Sequence, residues 1–284
     1  MKNNKIYIIN SKKEKELFSF DKVYQSARRA GADKDLAKEI AVSIQQEIFP
    51  NAKTSDIYRK IKKILRVKDY KTNLKFSLKQ AINKLGPTGF PFEKYVAEIF
   101  RNNGFEVKIN QYISGLCLPS YEIDFVAKKE NLIYIGECKF RNVAGDRVHT
   151  KNVLANFARF LDIYNGKFFS DDEKKNFEIK TIMVTNTKFT NIAQKYSECV
   201  GAELLGWRYP KQNSLEHLIE KQKLYPITIL PSLNKSLKHI FVSEKIILAR
   251  DVLKINAKNF AKKYKISENK ISALTKQAKI LLNS

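Results

Sequence analysis

Through its first third the chain sets apolar residues three and four positions apart, the spacing that gives a helix one buried face. A short strand-like run, KIYII at 5–9, comes first; Ser19 is then placed to cap a helix that runs to about Ala30 and closes at Gly31. Asp33 is placed to cap a second helix, in which Leu36, Ile40, Ile44 and Ile48 fall four apart before Pro50. Thr54 is placed to cap a third, with Ile57, Ile61, Ile64 and Leu65 turned inward, and a fourth carries Leu74, Leu78, Ile82 and Leu85. The pattern predicts a small helical domain behind a short β element over 1–85, closed by the Gly-Pro-Thr-Gly linker at 86–89.

The period then changes. Residues 91–103 (PFEKYVAEIFRNN) read as an amphipathic helix ended by Gly104. Three strand-like runs follow: FEVKINQYI (105–113), YEIDFVAK (121–128) and LIYIGECKF (132–140). A helix near 150–164, a strand at 178–185, a helix at 190–199 and a strand at 202–207 complete an αβββαβαβ order, a mixed α/β domain over 86–207. The polar stretch 166–177 reads as an exposed loop. From 208 onward no strand pattern emerges; short helices are punctuated by Pro226 and Pro231. Two helices near 257–264 and 268–282, separated by a KIS turn and capped at Ser267, end a basic helical domain over 208–284.

Charge sharpens this division. Of the formal net charge of +24, residues 1–85 carry +12, residues 86–205 only +1, and residues 206–284 carry +11. A lysine-rich composition alone would raise the total but would not spare the middle. Proteins that cut nucleic acid need both parts: basic surface to neutralise phosphates and carboxylates to hold a metal. At 43% hydrophobic, the chain has the material for packed cores and is not wholly disordered. No apolar run approaches the roughly 18–20 residues that span a bilayer, and the start lacks the apolar stretch of a secretory signal. A cytoplasmic protein without a membrane partner is expected. Three scattered cysteines, Cys117, Cys138 and Cys199, suit neither a disulfide scaffold nor a zinc knuckle. His149, His217 and His239 have no ligand spacing, and no GxxxxGK[ST] phosphate loop occurs.

The candidate chemistry lies in the neutral middle, at Glu93, Asp124, Glu137 and Lys139. Glu137 and Lys139 are two apart on a strand and share a face, as do Glu122 and Asp124 on the strand before. If those strands are antiparallel neighbours, two carboxylates and an ammonium converge at one end of the sheet. Such a set suits a Mg²⁺-dependent phosphodiesterase, because hard oxygen ligands hold a cation that keeps several waters. The plainer reading is a solvated strand face with an ordinary ion pair. Against it, ECKF sits inside an otherwise apolar strand, where consecutive polar residues need a reason.

The stretch GPTGFPFEKYVAEIFRNNGFEV, with YEIDFVA and IYIGECKF after it, resembles the PD-(D/E)xK nuclease superfamily, in particular its Mrr-like restriction endonucleases. The resemblance spans about 86–206 and implies a restriction-endonuclease-like mixed-sheet core of the α/β class. It also implies Asp124 and Glu137 as Mg²⁺ ligands, Lys139 as the catalytic lysine and Glu93 as the carboxylate of the preceding helix. Ile123 stands where proline is found in many members.

Residues 1–85 resemble the ATP-cone, a nucleotide-binding regulatory domain, which implies ATP or dATP as an effector. Lys12 and Lys13 stand near the place of that domain's basic signature and are the candidate phosphate contacts; its Asp-Gly is absent here. The last two helices are compatible with a helix-turn-helix-like unit, with Lys262, Lys263, Lys270, Lys276 and Lys279 toward phosphates, and equally with a basic packing domain. Together these readings describe a Mg²⁺-dependent DNA endonuclease of the type II or IV restriction kind, open to nucleotide regulation and to homo-oligomerisation. The alternative of another class is a nucleotide-sensing DNA-binding regulator with the nuclease fold as scaffold. The intact D…ExK argues against it.

Overall fold

The opening strand finds a partner that the apolar pattern does not mark. In the computed structural model, which describes residues 5–85 and 92–283, β1 (Tyr7–Ile9) pairs antiparallel with β2 (Lys15–Leu17). Ser19 and Asp33 cap the next two helices as expected. Ser19 Oγ accepts from the Lys22 N–H (3.2 Å) at the head of α1 (Phe20–Arg29), and the Asp33 carboxylate accepts from Leu36 N–H (2.7 Å) at the head of α2 (Lys34–Glu47). In α3 (Thr54–Lys68) the cap is Lys53 rather than Thr54, and Asp56 accepts from the Lys53 N–H at 3.4 Å. The expected fourth helix is two, α4 (Tyr70–Phe76) and α5 (Leu78–Asn83). Asp69 caps α4 through the Thr72 N–H (3.0 Å), and Ser77 ends it with its hydroxyl on the Asn73 carbonyl (3.2 Å). Side chain to backbone bonds of this kind compete with continuation of a helix. Ile8, Ala27, Ile40, Ile44, Ile61 and Leu65 form the core between these elements. Each isoleucine or leucine buried there contributes about 1.5–3 kcal/mol. The expected linker at 86–89 lies outside the described residues.

After α6 (Phe92–Asn102) comes an antiparallel meander of β3 (Glu106–Ile113), β4 (Tyr121–Lys129) and β5 (Leu132–Cys138). The chain continues through β6 (Arg147–Val148), α7 (Thr150–Asn165), α8 (Asp171–Asn176), β7 (Glu178–Val184), β8 (Lys188–Phe189), α9 (Asn191–Val200) and β9 (Glu203–Leu205). The five-stranded sheet has the order β3-β4-β5-β7-β9, antiparallel up to β5 and parallel beyond it. Helices α7 and α9 make the crossovers that parallel neighbours require. This is the expected mixed α/β sheet core. Phe100 on α6 packs against Phe125 and Tyr134 (ring centroids 4.9 and 6.2 Å), whereas Phe160 and Ile163 on α7 pack with Ile133 and Ile135. Residues 133–135 alternate along β5, so α6 and α7 cover opposite faces. Gly136 is needed for this packing: a Cβ there would lie 2.2 Å from the Phe125 ring.

Two expectations are corrected in this region. Residues 166–177 are not all loop. Ser170 and Glu173 form a capping box that starts α8, and Phe169 beside it is buried; the S-x-x-E spacing was a signal in the sequence. Strand β5 ends at Cys138, so Lys139 and Phe140 follow it rather than belong to it.

The last quarter holds α10 (Leu215–Lys221), α11 (Lys235–Ser243), α12 (Ala257–Tyr264) and α13 (Glu268–Leu282). Ser267 precedes α13 as expected but makes no side-chain cap bond. Residues 208–284 do not fold as a unit of their own. Packing divides the described chain into two units. One comprises residues up to 81, 227–235 and those from 249 on; the other comprises 82–226 and 236–248. In the first, Lys71 bonds the Asn283 carbonyl and Thr228 Oγ1 donates to the Ala81 carbonyl (2.7 Å). In the second, the buried Tyr95 donates its hydroxyl to the Leu224 carbonyl at 2.7 Å. Among the described residues no helix is long and apolar enough to cross a membrane.

Candidate active site

The β4–β5 ladder sets Phe125 opposite Gly136, so one step further out Asp124 stands opposite Glu137. There Asp124 Oδ2 accepts from the Cys138 N–H at 2.6 Å. Burial pushes the Asp124 carboxyl up from its ordinary value of 3.8 to about 6. The charges of Glu137 and Glu93 push the same way, while the Cys138 N–H and Arg159 pull it down. The Cys138 thiol is also pushed up, by burial and then by Asp124, Glu93 and Glu137. Glu93, in the first turn of α6, therefore shares one electrostatic neighbourhood with the two strand carboxylates.

Arg159 on α7 supplies the positive charge in this group. Its guanidinium donates to Glu137 Oε2 at 2.7 Å, and the two side chains are only 23% and 17% exposed. It also donates to the Glu122 carbonyl (3.3 Å) and the Asn156 side-chain oxygen (3.4 Å). The buried Asn156 donates to Thr181 Oγ1 (2.8 Å), which donates to the Ile135 carbonyl (3.1 Å), tying α7 to β7 and β5. Neither Arg159 nor Asn156 was singled out from the sequence. The available signal was an arginine within FARF, on a helix whose apolar face covers a sheet, where a buried cation needs a carboxylate.

Lys139 is fixed at the same strand end through its backbone. Its N–H donates to the Val184 carbonyl (2.7 Å), and its carbonyl accepts from Thr185 Oγ1 (2.6 Å). Its side chain is half-buried and makes no ion pair among the described residues. Lys12 and Lys13 belong to the other unit, in the β1–β2 turn. Asn10 Oδ1 organises that turn by accepting from the N–H groups of Lys12 (2.8 Å) and Glu14 (3.0 Å), with Lys13 at φ 66°. Both lysine side chains are exposed.

Among the described residues no three His, Cys, Asp or Glu side chains gather into a group that could by itself hold a metal ion. Magnesium binds differently, through one or two carboxylates, with water and substrate phosphate completing its octahedron. Asp124 and Glu137 fit that role. A carboxyl raised by burial and like charge is one whose ionised form a divalent cation would favour.

Residues 225–282 match the family described as AF1548-like, C-terminal. A protein of Archaeoglobus fulgidus, described as uncharacterized, is 39% identical over 160 residues, 56% of this chain and 83% of the relative. A crystal structure described as the protein of unknown function AF1548 is similar at a TM-score of 0.54 and 34% identity, over 68% of this chain and 97% of that one. The MspJI restriction endonuclease in complex with a 27-mer oligonucleotide gives a TM-score of 0.27 at 14% identity, over 61% of this chain and 37% of that one, too slight to argue from.

Proposed function

The chain belongs to the AF1548-like family, and for this member we propose hydrolysis of DNA phosphodiester bonds with Mg²⁺, as in Mrr-like endonucleases. The observation that carries the reading is the meeting of Asp124, bonded to the Cys138 N–H at 2.6 Å, and Glu137, held by Arg159 at 2.7 Å, at the end of a sheet with the charge of Glu93 near them. A scaffold protein gains nothing from that arrangement, which is unfavourable without a cation. Mg²⁺ bound to Asp124 and Glu137 would stabilise the charge that develops on the attacked phosphate. Arg159 holds Glu137 in place, and the Cys138 N–H does the same for Asp124. Lys139 orients the attacking water and takes part in its deprotonation. Glu93 adds negative charge that favours a cation over a bare carboxylate pair.

The basic surface of α12 and α13 is assigned to phosphate contacts that are independent of base sequence. Lys12 and Lys13 are assigned to the phosphates of ATP or dATP acting as an effector, without hydrolysis. A plasmid-nicking assay with and without Mg²⁺ tests the activity. Wild-type protein nicks only with the metal, and Asp124→Asn, Glu137→Gln and Lys139→Ala do not nick. Wild-type rates in all three variants would sink the assignment.

A further inference from the structure

Between β3 and β4 the chain turns through Ser114-Gly-Leu-Cys-Leu-Pro-Ser120 and leaves Leu116 67% and Leu118 50% exposed. Single exposed leucines are ordinary. These two are carried on a loop that is tied down from several sides. The Asp162 carboxylate of α7 accepts from the N–H groups of Cys117 (2.8 Å) and Leu118 (3.3 Å) and from the Tyr121 hydroxyl (2.9 Å). The Asp162 carbonyl accepts from Leu116 N–H (2.9 Å), and the Gly115 N–H closes the turn on the Leu118 carbonyl (2.9 Å). The fit leaves no room for another residue at 115, where a Cβ would stand 2.0 Å from Asp162 Oδ2. The end of α7 is equally close: a Cβ on Gly166 would meet the Gly115 carbonyl carbon at 2.8 Å.

The clamp and the candidate site share their supports. Asp162 lies one helical turn beyond Arg159 on α7, on the same side of the helix. Arg159 holds the Glu137 carboxylate and the backbone of Glu122, the second residue of β4 as it leaves the loop. Asp124 stands three residues into β4 from Tyr121, roughly 10 Å of strand, so the loop opens at the same end of the sheet as the carboxylate pair. The loop has no acidic residue to repel a duplex. Leucine and proline are among the side chains that proteins insert as wedges between base steps. A wedge works when its own geometry is already fixed, so that binding does not have to order it.

We propose that Leu116 and Leu118 form a rigid wedge that enters the base stack of the DNA bound at the Asp124–Glu137 site and unstacks one step there. The inference rests on the nuclease reading. Its test uses the full chain carrying Asp124→Asn, so that bound DNA stays intact, and short duplexes each with one 2-aminopurine. Fluorescence anisotropy reports binding, and 2-aminopurine emission reports unstacking. Emission rises at one step on binding, and a mismatch at that step tightens binding about tenfold or more, because the unstacking it removes is otherwise unfavourable. Adding Leu116→Ser with Leu118→Ser abolishes both the rise and the mismatch preference, while the melting temperature stays that of the parent.

A rise or preference that survives the double substitution overturns the wedge, as does bound DNA with no rise at any position. A parent dimer that the double substitution converts to monomer, with DNA signals unchanged, assigns the leucines to self-association and also overturns it. Absence of all DNA binding removes the wedge and the nuclease reading together. DNA binding with the wedge signals intact, but no nicking by the wild type in Mg²⁺, removes the nuclease reading alone.

Discussion

Replacing Asp124 by asparagine should remove activity and yet stabilise the protein, with a pH dependence set by the carboxyl itself. Its folded-state value near 6, against an ordinary 3.8, corresponds to about 3 kcal/mol of free energy opposing the charged form. Allowing for the partial exposure of the side chain, about 1–2 kcal/mol is the expected effect. Because the folded protein holds this proton more tightly than the unfolded chain, the contribution to stability is full below the unfolded value near 4. It is lost as pH rises through about 6. Asparagine keeps an oxygen to accept from the Cys138 N–H but never ionises. At pH 8 without metal the variant should therefore be more stable than wild type by about 1–2 kcal/mol. Near pH 4 the two should be equal. Trp207 is the sole tryptophan, is 5% exposed and lies in the same unit as Asp124, so its fluorescence reports on the relevant fold. With a urea slope of about 2 kcal/mol/M, the midpoint should move upward by about 0.5–1 M at pH 8. Mg²⁺ should raise the wild-type midpoint at pH 8 and leave the variant nearly unmoved, since a ligand stabilises only the state that binds it. An Asp124→Asn protein that is equal to or less stable than wild type at pH 8 would refute the reasoning.

Gly136→Ala should cost about 1–3 kcal/mol by driving a methyl into the Phe125 ring, and nicking should fall with it because Asp124 is the next residue along; an unchanged urea midpoint by Trp207 fluorescence would contradict this. Replacing Lys262, Lys263, Lys270, Lys276 and Lys279 by glutamine should flatten the salt dependence of DNA binding, each true phosphate contact lowering the log–log slope by about 0.9 on duplex DNA. Removing 208–284 outright would not test the same point, since that segment contributes to both packing units. Titration calorimetry of the full chain with ATP and dATP should give heat that Lys12→Ala with Lys13→Ala removes, and a silent wild-type titration at millimolar nucleotide would end the effector assignment.

Local signals in this chain are legible because their physics is local. Helix α2 follows from the Asp33 cap and the four-residue spacing of Leu36, Ile40 and Ile44. The placement of Asp124 and Glu137 on adjacent strands was also legible, because alternation and short connections favour an antiparallel meander. The sequence is silent where a segment is too short to show a period, as in β2, β6 and β8, or where a side chain interrupts one, as Asp69 and Ser77 do between α3 and α5.

What only the tertiary structure decided is which remote groups meet. Arg159 reaches Glu137 from 22 residues away, and Asp162 holds a loop 44 and 45 residues before it. The C-terminal segment was charged and helical by sequence, yet its residues divide between two packing units. Composition and spacing determined the elements, the asymmetry of charge and the carboxylate pair. The cation beside that pair, its raised proton affinity and the clamped leucine loop arise from distances between segments, and a burial or charge term has no value until those distances exist.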